Sequence, residues 1–282
     1  MAGDVSASER ERSTSRDSNK AAAFFDLDRT LMAGSSAMHF GRAAYRSGMV
    51  RRRQLAAWGL DHLRFRLRGS TDESTQAMLV LVKDLLEGVR ERDVARMAPD
   101  LLAGILPRIY PQIMDEVHAH QDAGRPAFIV SAASNPLVEL LATVLGFEGG
   151  IGTCYGVAPD GTLTGDIDGP FIYGEGKVEA MQRFADEHGI DLEASWAYSD
   201  SVSDLPMLRA VGNPVAVNPD PALAAIAASE GWRVMRFEKL GRRLAIAGAT
   251  VIAAAVGGSG TWLAARRRAR RGWGRTASLR RR

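Results

Sequence analysis

At 282 residues, with 46% hydrophobic and 24% charged side chains, the chain has the proportions of a globular protein with room for one large core or two modest ones. One cysteine, Cys154, excludes an internal disulfide and fits a reducing compartment. The net charge of +3 is unevenly spread: residues 21–238 carry 20 basic against 29 acidic side chains, whereas residues 239–282 carry 12 basic and none acidic, so the basic balance belongs to a tail that suits a membrane surface or nucleic acid, or serves solubility alone.

Residues 1–20 mix both charge signs without an apolar run and are expected to be disordered. They lack the apolar core of roughly 7–15 residues that a secretory signal needs, so the body of the chain is expected in the cytoplasm. Ala21–Asp26 is a continuous apolar run ending in acid, the pattern of a buried parallel strand whose carboxyl end carries chemistry. Residues 34–121 then read as helix after helix, broken at Gly48, Gly69-Ser70, Pro99 and Pro107 to Pro111, with Thr71, Asp72 and Glu73 starting one helix.

Further strand-like runs lie at Ala127–Val130, Trp196–Tyr198, Val215–Val217 and Trp232–Phe237. Helical patterns at Asn135–Leu145, Lys177–His188 and Pro221–Ser229 separate them, and Ile151–Tyr173 reads as a β-hairpin around Pro159-Asp160-Gly161. Alternation of this kind predicts an α/β, Rossmann-like parallel sheet with helices on both faces. The expected division is a core of residues 21–33 and 122–238, a helical cap of 34–121 inserted after the first strand, and a tail of 239–282. An insertion at that point covers the strand ends where ligands bind in such sheets, and acts as a lid.

Four places carry candidate chemistry. Asp26 and Asp28 stand at the end of the first strand, where paired carboxylates serve phosphoryl transfer as nucleophile and general acid, but also metal binding or helix capping. Ser131 follows the second strand, placed to hold a phosphate oxygen or to cap a helix. Lys177 opens a helix, a position unfavourable for the helix dipole and therefore suggestive of an anionic partner. Asp200 and Asp204 suit a hard cation with oxygen ligands, while Asp204 also reads as the cap of the helix from Leu205.

Together, in order, strand context and separation, Phe24-Phe25-Asp26-Leu27-Asp28-Arg29-Thr30-Leu31, Ser131, Lys177 and Asp200 to Asp204 resemble motifs one to four of the haloacid dehalogenase-like (HAD) phosphohydrolases, over residues 21–238. The cap position is similar to class IB, the group of phosphoserine phosphatase and its relatives. The resemblance implies a Mg²⁺-dependent phosphomonoester hydrolase. Asp26 is then the nucleophile that becomes an aspartyl-phosphate, and Asp28 protonates the leaving oxygen and later activates water. Thr30 and Ser131, with Arg29, bind the transferring group, and Lys177 holds Asp26 and phosphate together. Mg²⁺ takes Asp26, the main-chain carbonyl of Asp28 and Asp200, supported by Asp204.

Phosphoserine-specific members carry an acidic residue soon after the first motif, whereas Leu31-Met32-Ala33-Gly34-Ser35-Ser36-Ala37 follows here, so phosphoserine is not the favoured substrate. The same intermediate also serves a phosphotransferase, and a membrane-binding protein with a structural HAD domain is the reading from another class. Arg42, Arg46, Arg51, Arg52, Arg53, Arg64, Arg66 and Arg68 stand against Asp61 alone in the cap, as a solvated face or as a surface for an anionic substrate or membrane.

In the tail, Leu244–Ala265 is 22 uncharged residues between Arg242-Arg243 and Arg266-Arg267-Arg268. As a helix it would measure about 33 Å, near the ~30 Å of bilayer hydrocarbon, which makes 244–265 a candidate membrane segment or a soluble Ala-rich helix. A full span from the cytoplasm would export nine arginines against the positive-inside tendency, whereas a hairpin broken at Gly257-Gly258-Ser259-Gly260 keeps both basic flanks on the anionic face. Aromatic and basic residues interleave only at Trp273, so nucleic acid is not expected. A lipid phosphate becomes the favoured substrate if the tail is a tether.

Overall fold

The strand Ala23–Asp26 (β1) is buried from end to end. It pairs in parallel with Ala127–Ser134 (β2) on one side and Trp196–Ser199 (β6) on the other, as a strand apolar on both faces requires. The computed structural model describes residues 20–50, 79–80, 82–83 and 85–237; the helix start at Thr71, the cap arginines from 51 to 68 and the tail with its segment 244–265 lie outside them.

Gly149–Thr153 (β3), Asn213–Val217 (β7) and Arg233–Met235 (β8) complete a six-stranded parallel sheet of order β3-β2-β1-β6-β7-β8. The chain runs outward from β1 through β2 and β3, then returns to build β6, β7 and β8 on the other side. That reversal opens a crevice at the carboxyl ends of β1 and β6, where doubly wound sheets bind ligands. The hairpin Tyr155–Val157 (β4) and Leu163–Ile167 (β5) is antiparallel and separate from the sheet; it falls within the expected stretch 151–173, whose first residues, 151–153, belong instead to β3.

Among the described residues eight α-helices follow in chain order: Ser36–Arg46 (α1), Glu91–Ala95 (α2), Ala98–Ile105 (α3), Pro111–Asp122 (α4), Asn135–Leu145 (α5), Glu175–His188 (α6), Leu205–Arg209 (α7) and Pro221–Glu230 (α8). Local chemistry sets their ends. Asp220 caps α8 by accepting from the Leu223 amide at 2.8 Å, Pro221 opens it, and Gly231 closes it with φ of 73°. No helix of the described residues is long and apolar enough to cross a membrane.

β3 carries no strand signal in its sequence, because three of its five residues are glycine. The glycines answer to α5 instead. A Cβ on Gly150 would lie 2.6 Å from Val138 Cγ1, and one on Gly152 would lie 2.6 Å from Asn135 Cα. Close approach of helix to edge strand is therefore what suppresses the pattern.

The two faces of the sheet differ. On one, Phe24, Phe128 and Val130 pack with Met181, Ala185, Met207 and Leu223 from α6, α7 and α8. On the other, Phe25 stacks on Tyr198 at 4.3 Å, edge-on to Phe147 and to His120 of α4. Helix α4, which the sequence pattern groups with the cap, thus packs on the sheet. Arg233 and Tyr198 both reach Glu116 of the same helix, Arg233 through two bonds of 2.7 and 2.6 Å.

His120 is buried, with Nε2 2.8 Å from the Tyr198 hydroxyl and Nδ1 accepting from Arg125 Nε at 2.9 Å. Arg125 can only donate, so the ring is neutral with its proton on Nε2. Burial, followed by the Arg125 charge, lowers its pKa from 6.5 to about 4. The unfolded chain therefore binds the proton first, and this contribution to stability, complete above pH 6.5, is lost as pH falls towards 4. Urea unfolding at about pH 7 and about pH 4.5 is expected to show wild type losing roughly 2 kcal/mol more than His120→Gln over that interval.

Candidate active site

The site is assembled at the crevice from the ends of three central strands and the first turn of α6. β1 ends at Asp26, and the chain folds over in a tight turn in which the amides of Leu31 and Met32 both reach the Leu27 carbonyl at 3.1 Å. Arg29 sits in this turn with φ of 63°, a conformation that favours glycine. Asp28 is held at the start of α1: Oδ1 accepts from the Ser36 amide at 2.8 Å and Oδ2 from the Ser35 hydroxyl at 2.9 Å.

Lys177 is the centre of the arrangement. Its ammonium, buried in the first turn of α6, donates to Asp26 Oδ1 at 2.6 Å and to Asp204 Oδ2 at 2.7 Å. Ser199, the last residue of β6, donates to the same Asp204 oxygen at 2.7 Å. Gly176 makes this placement possible, since a Cβ there would run into the Phe171 carbonyl. The lysine at a helix start is thus matched by two carboxylates, which offset the unfavourable dipole.

Asp200 follows β6 and is buried. Its Oδ2 lies 3.0 Å from Arg29 Nη1, close enough for an ion pair, yet without the alignment of a hydrogen bond. Ser131 is buried on β2, its hydroxyl accepting from the Ala133 amide at 3.2 Å. The Thr30 hydroxyl is buried without a hydrogen-bond partner.

The electrostatics follow from buried acids crowded together. Burial, with Asp204 and Asp28 adding to it and Lys177 opposing, raises Asp26 to about 7. Asp200 is pushed to about 8 by burial and by Asp26, against Arg29. Burial works against the Lys177 ammonium, but Asp204 and Asp26 outweigh it and its pKa rises. Asp26 and Asp200 therefore lack the positive charge that would keep both ionised.

A divalent cation fits this deficit. The available donors are carboxylate and main-chain oxygens, and Asp200 Oδ2 is a buried oxygen without a hydrogen-bond donor. No three His, Cys, Asp or Glu side chains of the described residues form a cluster ready to hold a metal. A cation here would rely on two carboxylates, a main-chain carbonyl and water, the hard, partly hydrated set that suits Mg²⁺.

The expected residues thus come together, with two differences of emphasis. Asp204 faces Lys177 and Ser199, and Arg29 turns to Asp200. Sequence reasoning missed Ser199 as the partner of Asp204, and Ser35 and Ser36 as the holders of Asp28. A serine just before each acid or helix start is the signal, and it is shared with ordinary caps.

Beside Asp28 and Ser131 opens a cavity of about 830 Å³. Phe40, Leu85, Leu86 and Leu101 line one side, and Leu137, Leu140, Phe171 and Tyr173 the other. The hairpin closes against the helical insertion through the amide of Gly88 on the Leu163 carbonyl at 2.9 Å and that of Leu163 on Val89 at 2.8 Å.

The chain is thus an α/β protein with a lysine bridging two aspartates at the switch point of its parallel sheet. It belongs to the haloacid dehalogenase-like hydrolases, whose family model matches residues 23–209. It is 33% identical over 264 residues to the inhibition of morphological differentiation protein of Streptomyces azureus, covering 89% of this chain and 95% of that one. Phosphoserine phosphatase SerB1 of Mycobacterium tuberculosis is 33% identical over 256 residues, 89% of this chain and 82% of its own. A solved structure from Bordetella pertussis, of unknown function, superposes with a TM-score of 0.68 at 30% identity, over 77% of this chain and 99% of that one.

Removing the lysine leaves two carboxylates buried and unpaired. Lys177→Met is expected to cost about 3–5 kcal/mol in urea unfolding at neutral pH, and the double variant with Asp204→Asn to recover part of that loss.

Proposed function

We propose that the chain hydrolyses phosphomonoesters through an aspartyl-phosphate on Asp26, and that the ester's leaving group is apolar. The Lys177 bridge carries the reading: by binding Asp26 Oδ1 at 2.6 Å it orients the carboxylate and leaves Oδ2 outside the hydrogen bonds of the site. Membership of the family and a relative named phosphoserine phosphatase support phosphoric monoester hydrolysis.

Asp26 attacks phosphorus as the bond to the ester oxygen breaks, and the leaving oxygen takes a proton from Asp28. The Ser35 hydroxyl, a donor to the Asp28 carboxylate, can turn and accept when that carboxyl is protonated, so both states are held. Asp28 then takes a proton from water, which attacks the acyl phosphate and restores Asp26 with release of phosphate. Ser131 and Thr30 are placed to meet the phosphoryl oxygens, the Thr30 hydroxyl being without another partner. Mg²⁺, held by Asp26, Asp200 and the Asp28 carbonyl, would supply the charge that lets two anions approach. Asp204 acts through Lys177.

Helices α1 to α3 and the helical residues 79–80, 82–83 and 85–86 are assigned as the cap over this crevice, with α4 counted as core. Under them the cavity is walled mainly by Leu, Val, Ala and aromatic side chains, which favours a hydrocarbon-bearing phosphate such as a phosphorylated lipid. The uncharged segment 244–265 with its arginine flanks suits work at an anionic membrane surface, where such esters are found. One observation favours a second reading: Glu91 and Arg92 also line the cavity and could receive the ammonium and carboxylate of an amino-acid phosphate.

Phosphate release with Mg²⁺ decides between them. kcat/KM for n-alkyl phosphates is expected to rise roughly two- to four-fold per methylene until the cavity is filled. Phosphoserine turned over faster than the long-chain esters would overturn the apolar leaving group. Asp26→Asn should lose at least about a thousand-fold in phosphate release while unfolding as wild type does, and retained turnover would remove the nucleophile assignment.

A further inference from the structure

Arg29 stands where glycine would be conformationally free. With φ of 63°, it holds the left-handed backbone at a cost of roughly 1–2 kcal/mol relative to the ordinary region. Its side chain, 34% exposed, reaches inward to Asp200, whose side chain is 4% exposed, and brings Nη1 to 3.0 Å from Oδ2. Among the described residues no side chain makes an aligned hydrogen bond to that carboxylate: the neighbouring amides of Val202 and Leu223 go to Asp220, and the Ser201 and Ser203 hydroxyls go to each other. The Asp200 main chain is fixed, its carbonyl accepting from the Asp220 amide at 2.8 Å. What remains undetermined is the rotation of its carboxylate, and Arg29 is the group in contact with it.

We propose that Arg29 is a positioning residue for the cation site, its ion pair with Asp200 fixing the rotation of that carboxylate so that the group faces Mg²⁺; this rests on the phosphatase reading above. A guanidinium beside a metal ligand also repels the cation, so two effects compete. Repulsion from a charge that is one-third exposed is screened, and at surface pairs is worth no more than about five-fold in binding. Orientation of a ligand by its outer partner is typically worth about 10- to 100-fold in metal affinity, so orientation wins.

Calorimetric titration of the full chain with MgCl₂ tests this. Arg29→Gly takes up the turn without strain, and Arg29→Gln keeps the length while removing the charge; circular dichroism reports whether each is folded. Both are expected to bind Mg²⁺ about ten-fold or more weakly than wild type, with Arg29→Lys between them. Unchanged or tighter Mg²⁺ binding by the folded Gly and Gln variants would overturn the role of Arg29 and leave the phosphatase chemistry standing. Wild type that binds no Mg²⁺ would instead sink that chemistry, and this role with it.

Discussion

The Lys177 ammonium, locked between Asp26 and Asp204, is the contact on which the rest of the site depends. Three buried carboxylates, at positions 26, 200 and 204, meet beside the part-buried Asp28, and unpaired buried charges of one sign cannot coexist there. Lys177 neutralises one pair directly. Arg29 approaches a third acid from the solvent side. Burial, with the neighbouring acids adding to it, raises Asp26 and Asp200, and that cost to their ionised forms is what makes the crevice a candidate cation site.

That contact is a product of topology more than of any single element. Asp26 ends the central strand, Asp204 follows the strand beside it, and Lys177 arrives on a helix that begins against the Phe171 backbone. Gly176 is the residue without which that start would collide. The reversal of strand order about β1 brings positions 151 residues apart in sequence within 2.6 Å. The chemistry is therefore only as rigid as the apolar packing of β1, where Phe24 serves one helical layer and Phe25 the other.

Much of this was legible in the amino-acid order. Apolar runs with a terminal acid mark β1 and β6, because a parallel strand covered on both faces has no room for polar residues until its end. α5 and α8 each have a proline in the first turn and a glycine just past the end, and their limits read to within a residue. β3 does not, because its glycines are dictated by the helix above it and not by strand propensity. α4 is amphipathic like its neighbours, and only the contacts of His120 and Glu116 with Tyr198 assign it to the sheet. Asp26, Asp28, Lys177 and Asp200 are recognisable as a set, yet the partner of Asp204 is not. A serine at a strand end has too many ordinary uses for sequence to say that Ser199 shares an oxygen with Lys177.

The cavity was the least legible feature, and the reason is physical. Phosphoryl transfer needs charged groups at fixed separations, which leave a pattern in the chain. A pocket for an apolar group needs only shape and few polar groups, and the walls of the cavity here come mostly from α1, α3, α5 and the hairpin, each apolar for its own packing reasons as well. Helical apolar residues such as Phe40, Leu101 and Leu137 look the same in sequence whether they face a core or a cavity. Their common direction, toward a space beside Asp28 and Ser131, exists only once the insertion has folded back over the crevice. The charged groups around Lys177 thus leave a pattern in the chain, whereas the cavity beside Asp28 and Ser131 is a product of assembly.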